Sequence, residues 1–315
     1  MDITQIMNRG IFFCTKQEWT IQYVTKCIIQ GLDDLGIPYS IGNYNLIDTT
    51  KAVCCVDLSL FTPDYYSTDT MKLGGLENFD MKLVVLSASD SNSFINVNVP
   101  FFATHELRDY VFEGRIRIPM AFGLSYEIIN DSTKYNLNVK RESAFLSCHK
   151  RTRNQSVRDS AEFLIIPHFR KHMHIDNTMS DKEQYYYRLS KYEACLTYGG
   201  TFYSKPNCFE PIPGFHRKEC VIIRWDNWKI WEAFAFECLV INLNFEKYGF
   251  QLPVMPIEGE HYLGIDLEDT KNSCERIMDL RHKWREIAIA GKKWAIKHYS
   301  PIAVAQRFIN QLASL

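Results

Sequence analysis

The sequence predicts an α/β protein of two domains, each built on a parallel sheet, and three observations carry that prediction. The chain opens on a strand, a helical stretch and a second strand. A polar run at 130–141 (NDSTKYNLNVKR) lacks a sustained apolar pattern and reads as a linker. After it, the strand–turn–helix pattern restarts. The 315 residues suffice for two domains of ordinary size.

Residues 10–14 (GIFFC) form a short strand of the fully buried type. Over 19–35, Ile21, Val24, Ile28, Leu32 and Leu35 recur at helical spacing. Gly36 follows as a C-cap, and Pro38 blocks continuation. Residues 39–41 make the second strand. A β-α-β opening implies parallel pairing with a right-handed crossover. Further short apolar strands are expected at 52–58, 82–88, 100–103 and 115–119. Polar loops at 62–70 and 87–98 lie between them, at strand ends where open α/β sheets bind ligands.

The second half starts with a strand at 143–148 (SAFLSC). His149, Lys150, Arg151, Thr152 and Arg153 follow. Asn154 is expected to cap a helix through 163, with 164–166 as the next strand. A strand, a cationic turn and a helix N-terminus together make an anion site, because backbone N–H groups and the helix dipole face the ligand. Lys150, Arg151 and Arg153 suit a diphosphate. The turn lacks the glycines of a P-loop, so a solvated charged turn competes with this reading.

An amphipathic helix at 185–192 and a strand at 194–197 lead to Tyr198, Gly199 and Gly200. The glycines permit close backbone approach to a ligand. Tyr198 reads either as a ring that stacks on a base or as a core tyrosine. Residues 201–219 contain three prolines and read as irregular.

The next helix is expected to be capped by Asp226, with Trp225 and Ile230 as a hydrophobic staple. Trp228, Trp231, Ala235 and Cys238 fall on one face, which reads as core. Lys229 and Glu232 are three apart and share a different face. They hold opposite ends of one ligand, such as a phosphate and a sugar hydroxyl, or they form a surface ion pair. An apolar strand, a Pro/Gly-rich loop and a further strand reach Asp266. Helices follow at 267–280 and 282–298. Ser300 caps a last helix with Pro301 at its first position, and Ile302, Ala305, Ile309 and Leu312 lie on one face.

Composition bounds the function. Hydrophobic content is 46% and net charge -1, which gives no broad attraction to nucleic acid or membrane. A local patch, including a peripheral membrane contact, stays open. There is no run of 18 apolar residues and no signal-peptide pattern at the N-terminus. The ten scattered cysteines contain no C-x-x-C pair and read as reduced, mostly buried thiols of a cytoplasmic protein. His168, His172 and His174 cluster in sequence without a Cys or paired carboxylate to complete a metal site, so they read as a solvated loop.

Three stretches carry a family likeness. Trp228-Lys-Ile-Trp-Glu-Ala-Phe-Ala-Phe-Glu-Cys-Leu-Val-Ile241 resembles the EA-x-A-x-G-x-x-V-[IV] segment of glycosyltransferases with the GT-B fold. Glu260-His-Tyr-Leu-Gly-Ile-Asp266 is similar to the short strand that follows it there. Tyr299-Ser-Pro-Ile-Ala-Val-Ala-Gln-Arg-Phe308 resembles the tail of the group 1 type. The likeness covers roughly residues 140–315; before that it rests on architecture.

The resemblance implies two Rossmann-like domains facing each other across a cleft. These are an acceptor domain at 1–138, a nucleotide-sugar domain at 139–298, and a final helix at 299–315 that packs back on the first. It implies transfer of a sugar from a UDP- or GDP-sugar to an acceptor hydroxyl, with no metal and no cofactor. The acceptor would be a glycan or lipid-linked saccharide, as in polysaccharide biosynthesis. By position, Glu232 would bind the ribose. Lys229 matches the basic residue that phage DNA glucosyltransferases place on the diphosphate. Lys150, Arg151 and Arg153 match the phosphate-binding cations of the family's first C-domain loop.

Two positions depart from the pattern. Retaining group 1 enzymes carry Glu-x7-Glu, and the first position holds Arg224, so stereochemistry stays open and Arg224 adds charge to the phosphate site. Glu237 replaces the glycine after the helix, so that helix is expected to close differently. An inverting enzyme also needs a general base, and Asp90 and His105, just past apolar strands, are the candidates. Two other readings stand beside this one: an inactive relative that binds a nucleotide sugar or small anion, and a transferase that modifies DNA bases.

Overall fold

The structure, a computed structural model, describes residues 2–15, 23–43, 47–57, 81–88, 99–108, 117–135, 140–147, 156–204, 215 and 220–315. The chain divides into two compact units. Unit 1 holds 1–106, 110–126 and 298–315, and unit 2 holds 107–109 and 127–297.

Unit 1 begins with helix α1 (Ile3–Arg9), capped by Asp2. Its sheet comprises β1 (Ile11–Cys14), β2 (Tyr39–Gly42), β3 (Val53–Asp57), β4 (Lys82–Ser87), β5 (Phe101–Ala103) and β6 (Arg117–Pro119). The strand order is β2-β1-β3-β4-β5-β6, and every pairing is parallel. Strands β1 and β3 are buried along their whole length, as a sheet covered on both faces requires. Helix α2 (Tyr23–Leu35) joins β1 to β2 and buries Val24, Cys27, Ile28 and Leu32.

The last helix, α10 (Pro301–Ser314), packs on α2. It buries Pro301, Val304, Ala305, Phe308, Ile309 and Leu312, whereas Ile302, expected on that face, is exposed. The approach is close enough to demand glycine. A Cβ on Gly31 would lie 2.1 Å from the Pro301 carbonyl oxygen and 2.6 Å from Ala305 Cβ.

Unit 2 opens with α3 (Tyr126–Tyr135), an amphipathic helix within the run that reads as a linker. The polar composition of 130–135 reflects that helix's solvent face, and the division of the chain falls after Tyr126. The sheet of unit 2 contains β7 (Glu142–Leu146), β8 (His174–Asp176), β9 (Tyr192–Leu196), β12 (Leu239–Leu243) and β13 (Leu263–Ile265). Its order is β13-β12-β9-β7-β8, again parallel throughout.

Residues 164–166, expected as a strand, instead end helix α4 (Val157–Leu164) and start the short helix α5 (Ile166–Phe169). Three apolar residues in a row do not distinguish strand from helix. His168 falls in α5 and His174 in β8, so this stretch is not a simple loop. Among the described residues no group of three metal-ligating side chains comes together, and no helix is long and apolar enough to cross a membrane. The run 201–219, expected to be irregular, begins with β10 (Thr201–Ser204), which pairs antiparallel with β11 (Cys220–Ile223) just past the run.

In both sheets the order around the first strand is 2-1-3. Successive connections therefore leave in opposite directions between β1 and β3, and between β7 and β9. In doubly wound sheets ligands bind at such switch points, beyond the carboxyl ends of the strands.

Gly31→Ala is expected to lower unfolding free energy by about 1–3 kcal/mol through overpacking, overriding a helix-propensity gain of about 1 kcal/mol. Urea denaturation followed by circular dichroism reads this directly. An unchanged midpoint would contradict the close α2–α10 approach.

Candidate functional site

The switch point of unit 2 lies between the carboxyl ends of β7 and β9. Beyond β9 the chain runs through Thr197, Tyr198, Gly199 and Gly200. Helix α4 starts beside this turn: the Val157 N–H donates to the Gly200 carbonyl at 3.0 Å. Ser156 caps α4, its hydroxyl accepting from the Asp159 N–H at 3.1 Å.

Helix α7 (Trp228–Ala235) leads into β12, so it runs antiparallel to the sheet and its N-terminus lies at the same carboxyl edge. Asn227, and not Asp226, caps it. Asn227 Oδ1 accepts from the Lys229 N–H at 3.1 Å, and Nδ2 donates to the Thr197 carbonyl at 2.8 Å. Asp226 is displaced from the cap because its carboxylate is engaged elsewhere, accepting from Trp231 Nε1 at 2.8 Å. The two residues expected to be linked by a hydrophobic staple around the cap are thus replaced by a polar tie, Asp226 to Trp231.

Two helix N-termini therefore meet at Gly199. A side chain there would place its Cβ 2.9 Å from Asn227 Nδ2, 3.4 Å from Arg158 Nη2 and 3.6 Å from the Trp225 carbonyl. Arg158, the second residue of α4, brings its guanidinium to the glycine turn. The backbone of Arg224 follows β11, whose last residue Ile223 pairs with Thr201 just past the turn. It has a φ of 64°, in the left-handed region that a non-glycine residue adopts at a cost. Its guanidinium carbon lies 5.9 Å from the centre of the Tyr203 ring. Cations and helix N-termini around a glycine turn suit an anionic ligand such as a diphosphate.

Lys229 and Glu232 follow on α7. Helix α6 (Lys182–Lys191) packs alongside, pinned by Arg188 Nη1, which donates to both oxygens of Asp176 at 3.0 Å. Lys229 Nζ lies 6.0 Å from the centre of the Tyr185 ring. The Tyr186 hydroxyl donates to Glu232 Oε1 at 3.2 Å. Burial raises the Glu232 pKa above its ordinary 4.5; hydrogen bonds from Tyr185 and Tyr186 and the charge of Lys229 oppose the rise. Glu232 is thus a half-buried carboxylate oriented by tyrosines rather than one arm of a simple surface ion pair.

Two expected roles change. Tyr198 is 1% exposed with its pKa raised by burial, which fits the core tyrosine of the two readings. Trp228, expected in the core with Trp231, is 43% exposed, while Trp231 is buried. The helix is short, and its first residue projects beyond the layer that covers the sheet. Glu237, in contrast, closes α7 as a glycine would. It takes φ 57°, the Glu237 N–H donates to Phe234 and the Cys238 N–H to Ala233, which is a Schellman ending. Ion pairs from Arg285 and from Lys292, at 3.4 Å, accompany that strained position.

In unit 1, His105 lies just past β5 with φ 63°, buried, its ring edge-on to Phe122 at 5.7 Å. The next residue, Glu106, is held by Arg117, whose Nε donates to both carboxylate oxygens at 3.0 Å. Thr15, Asp57, Ser87 and Thr104 are buried polar residues at or just beyond the carboxyl ends of β1, β3, β4 and β5. Asp57 Oδ2 accepts from the Thr25 hydroxyl at 2.5 Å. Asp90, Lys150, Arg151 and Arg153 lie outside the described residues.

Sequence reasoning missed Arg158 and this polar row. A cation in the first turn of the helix after a basic loop was a usable signal for Arg158. Nothing in the composition of β3 marks Asp57 as different from a surface carboxylate.

No protein-family model matches the sequence, and no curated protein does. Solved structures do. An α-glucosyltransferase in complex with UDP-glucose and DNA containing an abasic site superposes with a TM-score of 0.51 at 11% identity, over 97% of this chain and 98% of that one. An α-glucosyltransferase in complex with UDP gives 0.50 at 10% identity, over 97% and 99%. Anabaena Alr3699/HepE in complex with UDP gives 0.47 at 10% identity, over 97% and 100%. The chain has the fold of the GT-B glycosyltransferases, two Rossmann-like α/β units.

Glu232→Gln tests the site's electrostatics. A carboxyl whose folded pKa is raised contributes stability below its ordinary value of 4.5 that is lost as pH rises through the folded value. The stability of Glu232→Gln relative to the parent is therefore expected to grow with pH across that window and level off above it. Parallel profiles in urea titrations at several pH values would contradict the buried placement of Glu232.

Proposed function

We propose that this chain is a glycosyltransferase that moves a sugar from a nucleotide-sugar donor to an acceptor hydroxyl. The observation that carries the reading is the convergence at Gly199 of Arg158 and two helix N-termini, with Lys229 and Glu232 on α7 and Arg224 just past β11. Glycosyl transfer builds charge on the departing diphosphate. Preorganised cations and backbone dipoles stabilise that charge without reorganising as the reaction proceeds. Arg158, Arg224, Lys229 and the N-termini of α4 and α7 take this role, and the reading adds Lys150, Arg151 and Arg153, which precede α4 in sequence. The reading therefore assigns leaving-group stabilisation to side chains and needs no metal or further cofactor.

Glu232 accepts hydrogen bonds from the ribose hydroxyls, which its ionised form does best. The acceptor belongs to unit 1, where His105 and Asp90 are the candidates for the general base. Thr15, Asp57, Ser87 and Thr104 give that edge the hydrogen-bonding groups that a polyhydroxylated acceptor needs. A glycan or lipid-linked saccharide, handled in the cytoplasm, is the acceptor class we favour. The likeness of fold to an α-glucosyltransferase bound to DNA supports a second reading, with a DNA base as the acceptor. A salt-sensitive gel shift separates the two.

Calorimetric titration with UDP, GDP and their sugars tests the donor assignment. The parent is expected to bind one of these nucleotides. Arg158→Ala, Lys229→Ala and Glu232→Ala are each expected to weaken it by about 10- to 100-fold, as lost charged hydrogen bonds imply, with circular dichroism unchanged. Binding of no nucleotide by the parent would sink the reading. Binding without any donor hydrolysis or transfer across a broad acceptor panel would leave an inactive binding protein in its place.

A further inference from the structure

We propose that the amino edge of the unit 2 sheet docks on an anionic lipid surface, with Phe163 as its apolar wedge. This surface stands independently of the donor-site reading above. Phe163 lies in α4. Val157 and Ala161 in that helix, and Ile165 at its end, recur every four residues and are buried. Phe163 is two positions from both Ala161 and Ile165, so it falls on the opposite face, where it is 82% exposed. Pro167, four residues on, is exposed as well. A ring this far out in water forfeits burial free energy, and among the described residues it meets no other ring.

Cations lie beside it. Arg170 and Lys171 follow α5 and are exposed, with exposed His172 and His174 beyond them. A second basic run, Arg281, His282 and Lys283, is exposed in the 3₁₀ turn Leu280–Lys283 between α8 (Thr270–Asp279) and α9 (Trp284–Tyr299). One core ring brings the two runs together. Phe145 packs at 4.6 Å against Phe169, the residue before Arg170, and at 5.5 Å against Trp284, the residue after Lys283. Both runs belong to the amino edge. Strand β8 begins at His174, and Arg281 Nη2 donates to Ser143 and, at 3.1 Å, to Glu193, the second residues of β7 and β9. The carboxylates at the starts of β7 and β9 are matched, Glu142 by Lys191 at 3.0 Å and Glu193 by Arg281. Arg170, Lys171 and Lys283 form no ion pair among the described residues, and they outnumber exposed Asp279, which precedes the turn.

A surplus of positive charge is drawn to the negative surface potential of an anionic bilayer, and a bare aromatic ring beside it inserts at the headgroup–acyl boundary. The phosphate backbone of a nucleic acid would engage the cations alone and leave Phe163 without a role. The candidate donor site lies at the other end of the same strands, so docking by this edge leaves it open to soluble nucleotide sugar.

Co-sedimentation of the full chain with lipid vesicles tests this. The parent is expected to partition onto vesicles of phosphatidylcholine mixed with phosphatidylserine and not onto phosphatidylcholine alone, and to do so less at high salt. Phe163→Ser is expected to weaken partitioning by about 10-fold. Arg170→Ala with Lys171→Ala is expected to weaken it by about 10- to 30-fold, each charge at the surface contributing about 5-fold. All three side chains are exposed, so circular dichroism stays unchanged. Failure of the parent to bind the mixed vesicles, equal binding to both vesicle types, or equal partitioning of the parent and Phe163→Ser would overturn the proposal. So would binding of random-sequence duplex DNA that Arg170→Ala with Lys171→Ala loses and Phe163→Ser retains, which marks a nucleic-acid surface instead.

Discussion

One side-chain amide holds the candidate donor site together. Asn227 caps α7 with its oxygen, while its nitrogen reaches the Thr197 carbonyl just beyond β9 and the Trp225 carbonyl at 3.2 Å. The cap therefore does more than satisfy a helix terminus. It sets the distance between α7 and the glycine turn, and through that turn the position of α4 and Arg158. Aspartate, with no N–H to donate, caps a helix equally well but leaves the Thr197 and Trp225 carbonyls unmet. That difference explains why neighbouring Asp226 is used instead to hold Trp231.

Backbone strain falls at three places in the described residues. Among the described residues, those other than glycine at positive φ are His105, Arg224 and Glu237. Glu237 is a helix ending, where the conformation is ordinary and only the residue type is unusual; its ion pairs to α9 (Trp284–Tyr299) offset the cost. His105 and Arg224 have no such excuse in helix geometry. His105 stands just past β5 and Arg224 just past β11, where a strand ends and side-chain direction matters more than backbone comfort.

Much of this architecture was legible in the sequence. The apolar runs of β1, β3, β9 and β12, and the helical spacing in α2, identify themselves because burial on both faces of a sheet leaves little choice of residue. The segment around Glu232 was legible by its likeness to a known family. What escaped did so for physical reasons. A helix with a solvated face, such as α3, resembles a linker in composition. The choice between Asp226 and Asn227 as cap depends on the Thr197 carbonyl, just past β9 and thirty residues earlier in the chain, and no local pattern encodes it. Trp228 and Trp231 have the same side chain and similar helical phase. Only the depth of the layer packed against α7 separates an exposed indole from a buried one.

The pairing of α10 with α2 has a consequence for biogenesis. Unit 1 is discontinuous: its sheet precedes unit 2 in the chain, but the helix against the Gly31 face of α2 follows it. The whole of unit 2 except 107–109 emerges in between. On the ribosome, then, unit 2 has its chain before unit 1 is complete, reversing the usual N-to-C order of domain maturation. Until α10 emerges, the seat that Pro301 and Ala305 occupy is open to water and to the chaperones that patrol nascent chains.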